Sequence, residues 1–488
     1  MSFLFNERGW GRSPSPKSVS SAPIHNGRPE FNFDYSPVKG MNREKVYQWP
    51  IEGVFGQKAV VDLMALASWA KRSLMAVETD WINLALAIYS ADRFASRRPS
   101  VASGEKYWRR SITLNVAVAE PDRWNSLKHA ILDALVFLTD DDWVLNFTQR
   151  EIDLDEEMQM FFPDTNRDQL SWVCLFSGGL DSLAGLKHLS HQVGGKGLLV
   201  SGWTNERLRS GQEELISKLP EHRVSTFEWL QVHYGFPRIL DSTFVESSQR
   251  SRGWMHVALG LAAVAVSNHD VLDVCENGIG AINLPTEFSQ TGSHTSRAVH
   301  PVFLSRIARA ASLVFGRTLK IRQPALFETK GELLRRTLHS GDADAINASF
   351  SCEIFPNYNA KQSQCGVCPS CLVRRAALGS VGLPDSGKRY SLDAKSHILP
   401  TKRALGMIKM NRYAKRVESC FADSAAPDAV LWEYPEAGSY FEEAAASLNM
   451  SFDEFLSKVR RMHHAFSLEW KGFADGLQPI KHAARLAA

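Results

Sequence analysis

The stretch WVCLFSGGLDSL, residues 172–183, decides the fold. An apolar run of the kind that forms a buried strand leads into Ser177-Gly178-Gly179-Leu180-Asp181-Ser182, and a helical pattern follows. Two consecutive glycines let the backbone turn sharply and come close to a ligand, because no Cβ stands in the way. The serine hydroxyls and the free N–H groups at the start of a helix favour an anion. We therefore predict a phosphate-binding loop, with an ordinary capped strand-to-helix turn as the alternative.

The loop matches neither of two common nucleotide-binding motifs, Gly-x4-Gly-Lys-Ser/Thr and Gly-x-Gly-x-x-Gly. It resembles the Ser-Gly-Gly-x-Asp-Ser signature of the PP-loop ATP pyrophosphatase superfamily. That resemblance implies that the loop holds the β and γ phosphates of ATP, with Mg²⁺, while a substrate oxygen attacks the α phosphate. The residues it implies for ATP binding are Ser177, Gly178, Gly179, Leu180, Asp181 and Ser182, of which Asp181 and Ser182 would also be catalytic.

Apolar runs alternate with helical patterns after the loop, which is typical of an α/β domain with a doubly wound parallel sheet. The resemblance to the PP-loop superfamily implies that this is the sheet of an adenine nucleotide alpha hydrolase-like domain. The predicted strands are residues 171–176, 197–203, 224–232 and 271–275, and the predicted helices are residues 181–192, 212–219 and 253–268.

The chain divides by pattern into four segments. Residues 1–45 are predicted to be a flexible arm, 46–165 an N-terminal α+β accessory domain, 166–392 the PP-loop domain and 393–488 a helical extension. In the accessory domain we expect a helix over residues 57–72, strands over 111–119 and 143–147, and a helix over 124–138.

Four of the seven cysteines crowd into a short interval. Cys365, Cys368 and Cys371 are each separated by two residues, and Cys352 precedes them as a candidate fourth ligand. Four thiolates make a closed, structural zinc site, because no position remains for water or substrate. An iron–sulfur cluster and unliganded cysteines are the alternatives.

The residues around the cysteines resemble a narrower family, QueC, the 7-cyano-7-deazaguanine synthases. The resemblance covers about residues 170–392 and rests on Glu276-Asn-Gly278, Thr329-Lys330-Gly-Glu332 and Cys365-Gly-x-Cys368-x-Ser-Cys371. It implies an enzyme that adenylates 7-carboxy-7-deazaguanine and lets ammonia displace AMP, as a carbon–nitrogen ligase does. The amide is then activated again to give the nitrile.

The long segments before and after this region depart from QueC. That architecture is similar to the QueC-like proteins of anti-phage operons, QatC and the QueC-like component of type IV CBASS. The resemblance implies an amine acceptor, either ammonia or the N-terminus of a protein encoded by the same operon.

Four further residues are candidates for the site: Lys330 as a catalytic residue, and Arg250, Glu276 and Asn277 as residues that bind the substrate. Lys330 would contact phosphate or the adenylate, unless it is a surface lysine. Arg250 would bind a carboxylate or phosphate, unless it forms an exposed ion pair. Glu276 and Asn277 follow a predicted strand, where sheet ligands bind, although a simple turn would explain them as well.

Composition limits the remaining possibilities. A net charge of +3 offers no global attraction for nucleic acid, and the longest apolar run, residues 257–266, is too short for a membrane span. The N-terminus lacks the apolar segment of a signal peptide, so a cytoplasmic protein is expected. Two other functions remain open: a PP-loop enzyme of tRNA thiolation and a non-catalytic ATP-binding scaffold.

Overall fold

The computed structural model describes residues 24–25, 28–33, 46–48, 58–95, 109–152, 169–236, 245–246, 248–286, 296–353, 355, 364–386, 390–391, 401–422, 425–426 and 429–476. The described strands are β1 (Ile24–His25), β2 (Arg28–Phe33), β3 (Val46–Gln48), β4 (Lys58–Val61), β5 (Ser111–Val118), β6 (Asp142–Gln149), β7 (Trp172–Leu175), β8 (Gly197–Trp203), β9 (Phe227–Gly235), β10 (Val271–Asp273) and β11 (Lys320–Arg322).

The described helices are α1 (Leu63–Ala70), α2 (Ala76–Phe94), α3 (Pro121–Thr139), α4 (Leu180–Gln192), α5 (Glu206–Ser217), α6 (Glu221–Val224), α7 (Arg252–Val266), α8 (Gly278–Ile282), α9 (Pro301–Phe315), α10 (Lys330–Thr337), α11 (Ala343–Ala348), α12 (Pro369–Ser380), α13 (Thr401–Phe421), α14 (Ala429–Glu433), α15 (Pro435–Ser447) and α16 (Phe452–Asp475). A 3₁₀ turn covers Ser340–Asp342. No helix in this described part of the chain is both long and apolar enough to cross a membrane.

The larger sheet has the order β11-β10-β7-β8-β9-β4-β3. Its five strands from β11 to β9 are parallel. The chain moves outward from β7 to β9 and then returns to the other side of β7 for β10, so the strand order reverses between β7 and β10. Ligands of open α/β sheets bind at such a switch point, beyond the carboxyl ends of the strands.

The N-terminal segment shares this sheet. Strand β4 pairs antiparallel with β9, with Val60 opposite Gly235, and β3 pairs with β4. Helix α2 packs against α7, where Trp81 Nε1 donates a hydrogen bond of 3.0 Å to the Ala258 carbonyl. The predicted boundary near residue 165 therefore separates residues that belong to one sheet, and the four-segment division stays a prediction.

A second, smaller sheet has the order β1-β2-β5-β6, with β2, β5 and β6 parallel. Helix α3 crosses between β5 and β6, so this region contains a β-α-β unit, whereas an α+β arrangement was expected. The segment predicted to be a flexible arm, residues 1–45, contains β1 and β2; its other residues lie outside the described residues, and its flexibility stays a prediction.

Three local predictions also need correction. The first turn of the helix predicted over residues 57–72 is strand β4, and the helix begins only after Asp62, whose side chain accepts from Ala65 N at 3.0 Å. Helix α5 starts before the predicted residue 212 because Asn205 caps it. The strand predicted from residue 224 begins at Phe227, since α6 occupies the preceding turn.

Candidate functional site

The loop after β7 has the geometry of an anion-binding turn. Gly178 has a φ of +84°, which a residue with a side chain rarely adopts, and α4 begins two residues later. The hydroxyls of Ser177 and Ser182 lie 2.9 Å apart across the turn. The first intrahelical bond is made by Leu183 N to Gly179 O, so the preceding N–H groups of α4 have no helical partner.

Phe350 holds the loop from one side. Its backbone N–H donates to Gly178 O at 3.1 Å, and its ring stacks on Phe355 with centroids 4.0 Å apart. A Cβ at position 178 would lie 2.7 Å from the Phe350 ring. Glycine is required here by both the positive φ and this close approach.

Four predicted residues meet beside the loop. Lys330 Nζ pairs with Asp181 Oδ2 in a buried contact. Asn277 Nδ2 donates to the same Asp181 oxygen at 3.2 Å and to Glu276 Oε1 at 2.8 Å. Lys330 is thus not the surface lysine of the alternative reading. Asn277 also caps α8 through Oδ1, and this cap directs its amide group toward the two carboxylates.

The two carboxylates are suited to a cation. Burial and the neighbouring Asp181 raise the pKa of Glu276 well above its usual value, although Lys330 acts in the opposite direction. Asp181 Oδ1 is buried and has no hydrogen-bond partner among the described residues. A divalent ion that prefers oxygen ligands, such as Mg²⁺, fits this set of donors.

A cavity of about 510 Å³ opens in front of these groups. One wall is the loop with Asp181, Glu276, Asn277 and Lys330. Met410 and Tyr413 of α13 also line the cavity. The C-terminal extension therefore contributes directly to the cavity.

A second cavity, of about 320 Å³, also borders the loop. Ser177, Ser182 and Glu276 line both cavities. The second is lined mainly by apolar groups, but His256 also contributes, and its ring nitrogen lies 2.8 Å from the Tyr234 hydroxyl. Burial lowers the pKa of His256 to about 3, so this imidazole is neutral near pH 7.

The predicted Arg250 lines neither cavity; Arg252, in the first turn of α7, lines the second. Sequence reasoning also missed Phe350, Met410 and Tyr413. In the sequence, the only sign of Phe350 was that it is an aromatic residue two positions before Cys352. No local pattern indicated Met410 or Tyr413.

The four cysteines form one cluster. The Sγ atoms of Cys352, Cys365, Cys368 and Cys371 all lie within 4.8 Å of one another. Backbone N–H groups donate to two of these sulfurs, including Cys368 N to Cys365 Sγ at 3.2 Å. Zn–S bonds of about 2.3 Å in a tetrahedron separate sulfurs by about 3.8 Å, so the cluster fits a zinc ion.

The cluster is joined to the phosphate loop. Cys352 follows Phe350 by two residues, and the intervening Ser351 N–H donates to Gln364 Oε1 at 2.9 Å. Arg374, which is buried, donates to Ser349 Oγ at 2.8 Å and to Ile346 O at 2.6 Å. A closed metal site would thus hold the segment on which the loop rests.

The fold and site together define an α/β protein with a glycine-containing loop at the switch point of its sheet and a cluster of four cysteines suited to a metal ion. Residues 280–382, which include Lys330 and the cysteines, match the family model described as "Queuosine biosynthesis protein QueC". The 7-cyano-7-deazaguanine synthase of Hahella chejuensis (strain KCTC 2396) is 26% identical over 211 residues, which cover 42% of this chain and 87% of that protein. No solved structure gives a significant match. The two matches support an enzyme of the QueC type within the PP-loop superfamily.

Proposed function

We propose that this protein uses ATP to adenylate a 7-deazaguanine carboxylate, releases pyrophosphate, and passes the activated acyl group to an amine. The observation that carries the proposal is the loop 177–182 at the switch point, with Asp181, Lys330, Asn277 and Glu276 gathered at its edge. Attaching AMP turns a poor leaving oxygen into a good one. Positioning and charge neutralisation then provide most of the catalysis.

The roles of the charged residues follow from their positions. The free N–H groups of α4 and the hydroxyls of Ser177 and Ser182 would hold phosphate oxygens. Asp181 and Glu276 would hold Mg²⁺, which neutralises charge on the phosphates when bound. Lys330 would leave Asp181 for a phosphate oxygen as the nucleotide enters, because both interactions satisfy its single charge.

The two cavities suggest how the substrates are divided. Both border Ser177 and Ser182, so phosphates held there would lie between them. We assign the adenine of ATP to the mainly apolar second cavity, beside the neutral His256. The deazapurine acid would then occupy the first cavity, which contains Lys330 and Asn277.

The acceptor amine belongs to the same proposal. Ammonia would give a primary amide, which a second activation would turn into the nitrile, whereas a protein N-terminus would give an amide-linked conjugate. The resemblance to the QueC-like proteins of anti-phage operons supports a role in defence, with an acceptor protein encoded nearby.

A tRNA thiolase is the weaker candidate, since it would need an exposed persulfide cysteine or an iron–sulfur cluster. Of the seven cysteines, six are buried and Cys368 is only partly exposed. A colourless protein with one zinc ion per chain would exclude the cluster.

The direct test is incubation with ATP, Mg²⁺ and 7-carboxy-7-deazaguanine, followed by measurement of AMP and pyrophosphate and by mass spectrometry of the products. Parallel reactions contain ammonia, a candidate acceptor protein, or neither. Asp453→Asn, in the exposed first turn of α16, is the control for Asp181→Asn, in the first turn of α4. AMP formation that does not depend on the deazapurine acid would contradict the proposed substrate, and a lack of ATP binding would contradict the whole proposal.

A further inference from the structure

Helix α16 of the C-terminal extension lies along the segment that carries Lys330. The Arg461 guanidinium donates to the Phe327 carbonyl and forms an ion pair with Glu332. These two partners lie on either side of Lys330 in the sequence. One helix, more than a hundred residues later in the chain, therefore contacts the backbone that presents the lysine.

Glu469, two turns further along α16, makes the closer contact. Its carboxylate accepts a hydrogen bond from the hydroxyl of Thr329, which caps α10 directly before Lys330. It also lies against Gly331, directly after the lysine, and the backbone N–H of Gly331 lowers the pKa of this carboxyl group. A Cβ at position 331 would overlap the Glu469 carboxylate, so this approach requires glycine.

We propose that Glu469 is a positioning residue for Lys330. By holding the backbone on both sides of the lysine, it keeps the ammonium group directed at Asp181 and the phosphate loop. The proposal rests on the proposed function for the chemistry that Lys330 serves. It makes the C-terminal extension part of the nucleotide site, beyond the wall formed by Met410 and Tyr413.

The surroundings of Glu469 shift the pKa of its carboxyl group, so the positioning role can be tested by varying the pH. Burial raises the pKa of this carboxyl to about 7. From α10, Glu332 also raises the pKa while Arg335 lowers it, and α12 presents the hydroxyl of Ser380. Because the folded-state pKa lies above the usual value, the ionised form costs stability: stability is greatest below the usual pKa and is lost as the pH rises through about 7.

A carboxylate nevertheless accepts stronger hydrogen bonds than a neutral carboxyl group or amide. The proposal therefore expects kcat to rise as the pH passes upward through about 7, where Glu469 ionises, although stability falls over the same range. A residue with a purely structural role would give the stability change without the change in kcat.

The test compares Glu469→Gln and Glu469→Ala with the wild type in AMP formation between pH 5.5 and 8.5. The Gln variant keeps an acceptor but no charge, so its kcat should be about threefold lower at pH 8 and lack the step near pH 7. The Ala variant should lose about ten- to a hundredfold in kcat, with a smaller change in KM for ATP. Glu454→Gln, an exposed glutamate on the same helix, should behave as the wild type.

Hydrogen–deuterium exchange of residues 327–337 in the ligand-free protein gives a readout that needs no substrate. The Ala variant should exchange faster there, while Glu454→Gln should not. A wild type that forms no AMP would defeat the proposed function, but the exchange data would still test Glu469. Unchanged kcat and exchange in the Ala variant would overturn the positioning role. A rise in kcat near pH 7 that persists in Glu469→Gln would also overturn the positioning role. This measurement remains informative even if the Ala variant does not fold.

Discussion

The phosphate loop, residues 177–182, and the lysine segment, residues 327–332, meet at one ion pair but are stabilised differently. The loop is built largely from its own atoms: Ser177 Oγ accepts from Gly179 N at 3.2 Å and lies 2.9 Å from Ser182 Oγ. The lysine segment depends on Arg461 and Glu469, which are more than 120 positions away. The loop therefore depends mainly on its own residues and on the distant Phe350, whereas the lysine segment has a local capping box but also contacts a helix of the C-terminal extension.

This difference explains how the same site can contain both a short recognisable motif and residues with no motif at all. A change in the loop acts on the site directly. A change in α16 acts through the backbone of another segment, and its effect should be smaller and more dependent on conditions. The predictions below test this ranking.

The largest effect is expected where the two regions meet. Asp181→Asn removes the charge that pairs with Lys330 and would hold Mg²⁺, so AMP formation should fall by about a thousandfold. Since the side chain keeps its shape, the circular dichroism spectrum and zinc content should not change. Retained turnover would remove the assignment of Asp181.

Gly178→Ala tests the loop alone. The positive φ at this position costs a residue with a Cβ about 1–2 kcal/mol, and the new methyl group would meet the Phe350 ring at 2.7 Å. The loop must move, and affinity for ATP should fall about ten- to a hundredfold by calorimetry. Gly316→Ala, at a helix end with a similar φ of +65° and open space around it, is the control for backbone strain without the clash. Equal ATP affinity in the two variants would contradict the role of the contact with Phe350.

Cys368→Ser tests the support behind the loop. Loss of one thiolate from the cluster should lower zinc affinity at least about tenfold and reduce the thermal midpoint, because metal binding is coupled to folding. Zinc content by mass spectrometry and thermal unfolding are the measurements. Cys420→Ser removes a buried thiol of α13 and should keep its zinc. Full zinc content in Cys368→Ser would exclude this cysteine as a ligand.

Arg461→Met should have the smallest effect of the four. The guanidinium is half exposed, so its ion pair with Glu332 contributes about 0.5 kcal/mol or less. With Glu469 still in place, kcat should change less than about threefold. A loss as large as that of Gly178→Ala would reverse the ranking of loop and lysine segment.

Much of the fold near the loop could be predicted, because its signals are local. Strand β8 has the predicted bounds, and the turn from β7 into α4 lies within one residue of the prediction. The N-terminal region was less predictable, since Lys58–Val61 has a pattern that fits a helix but forms a strand between β3 and β9, with which it pairs. Periodicity over a few residues does not contain that information.

The site divides in the same way. Asp181, Glu276 and Asn277 come together because strands β7 and β10 are neighbours, and Lys330 joins them from the first turn of α10 through its ion pair with Asp181. Arg250 precedes α7 and lines neither cavity, whereas Arg252, the first residue of α7, lines the second cavity; the sequence pattern does not separate these two arginines.

The sequence by itself determined the anion-binding loop and the four-thiol cluster, since each depends on the order and spacing of residues close together in the chain. Tertiary structure alone decided that Met410 and Tyr413 line the cavity, that Arg461 and Glu469 contact the segment carrying Lys330, and that Phe350 joins the cluster to the loop. The physical reason is range: backbone conformation and ligand spacing are set by neighbours in sequence. A cavity wall or a support for a lysine depends on which distant surfaces bury each other, and no short pattern records that choice.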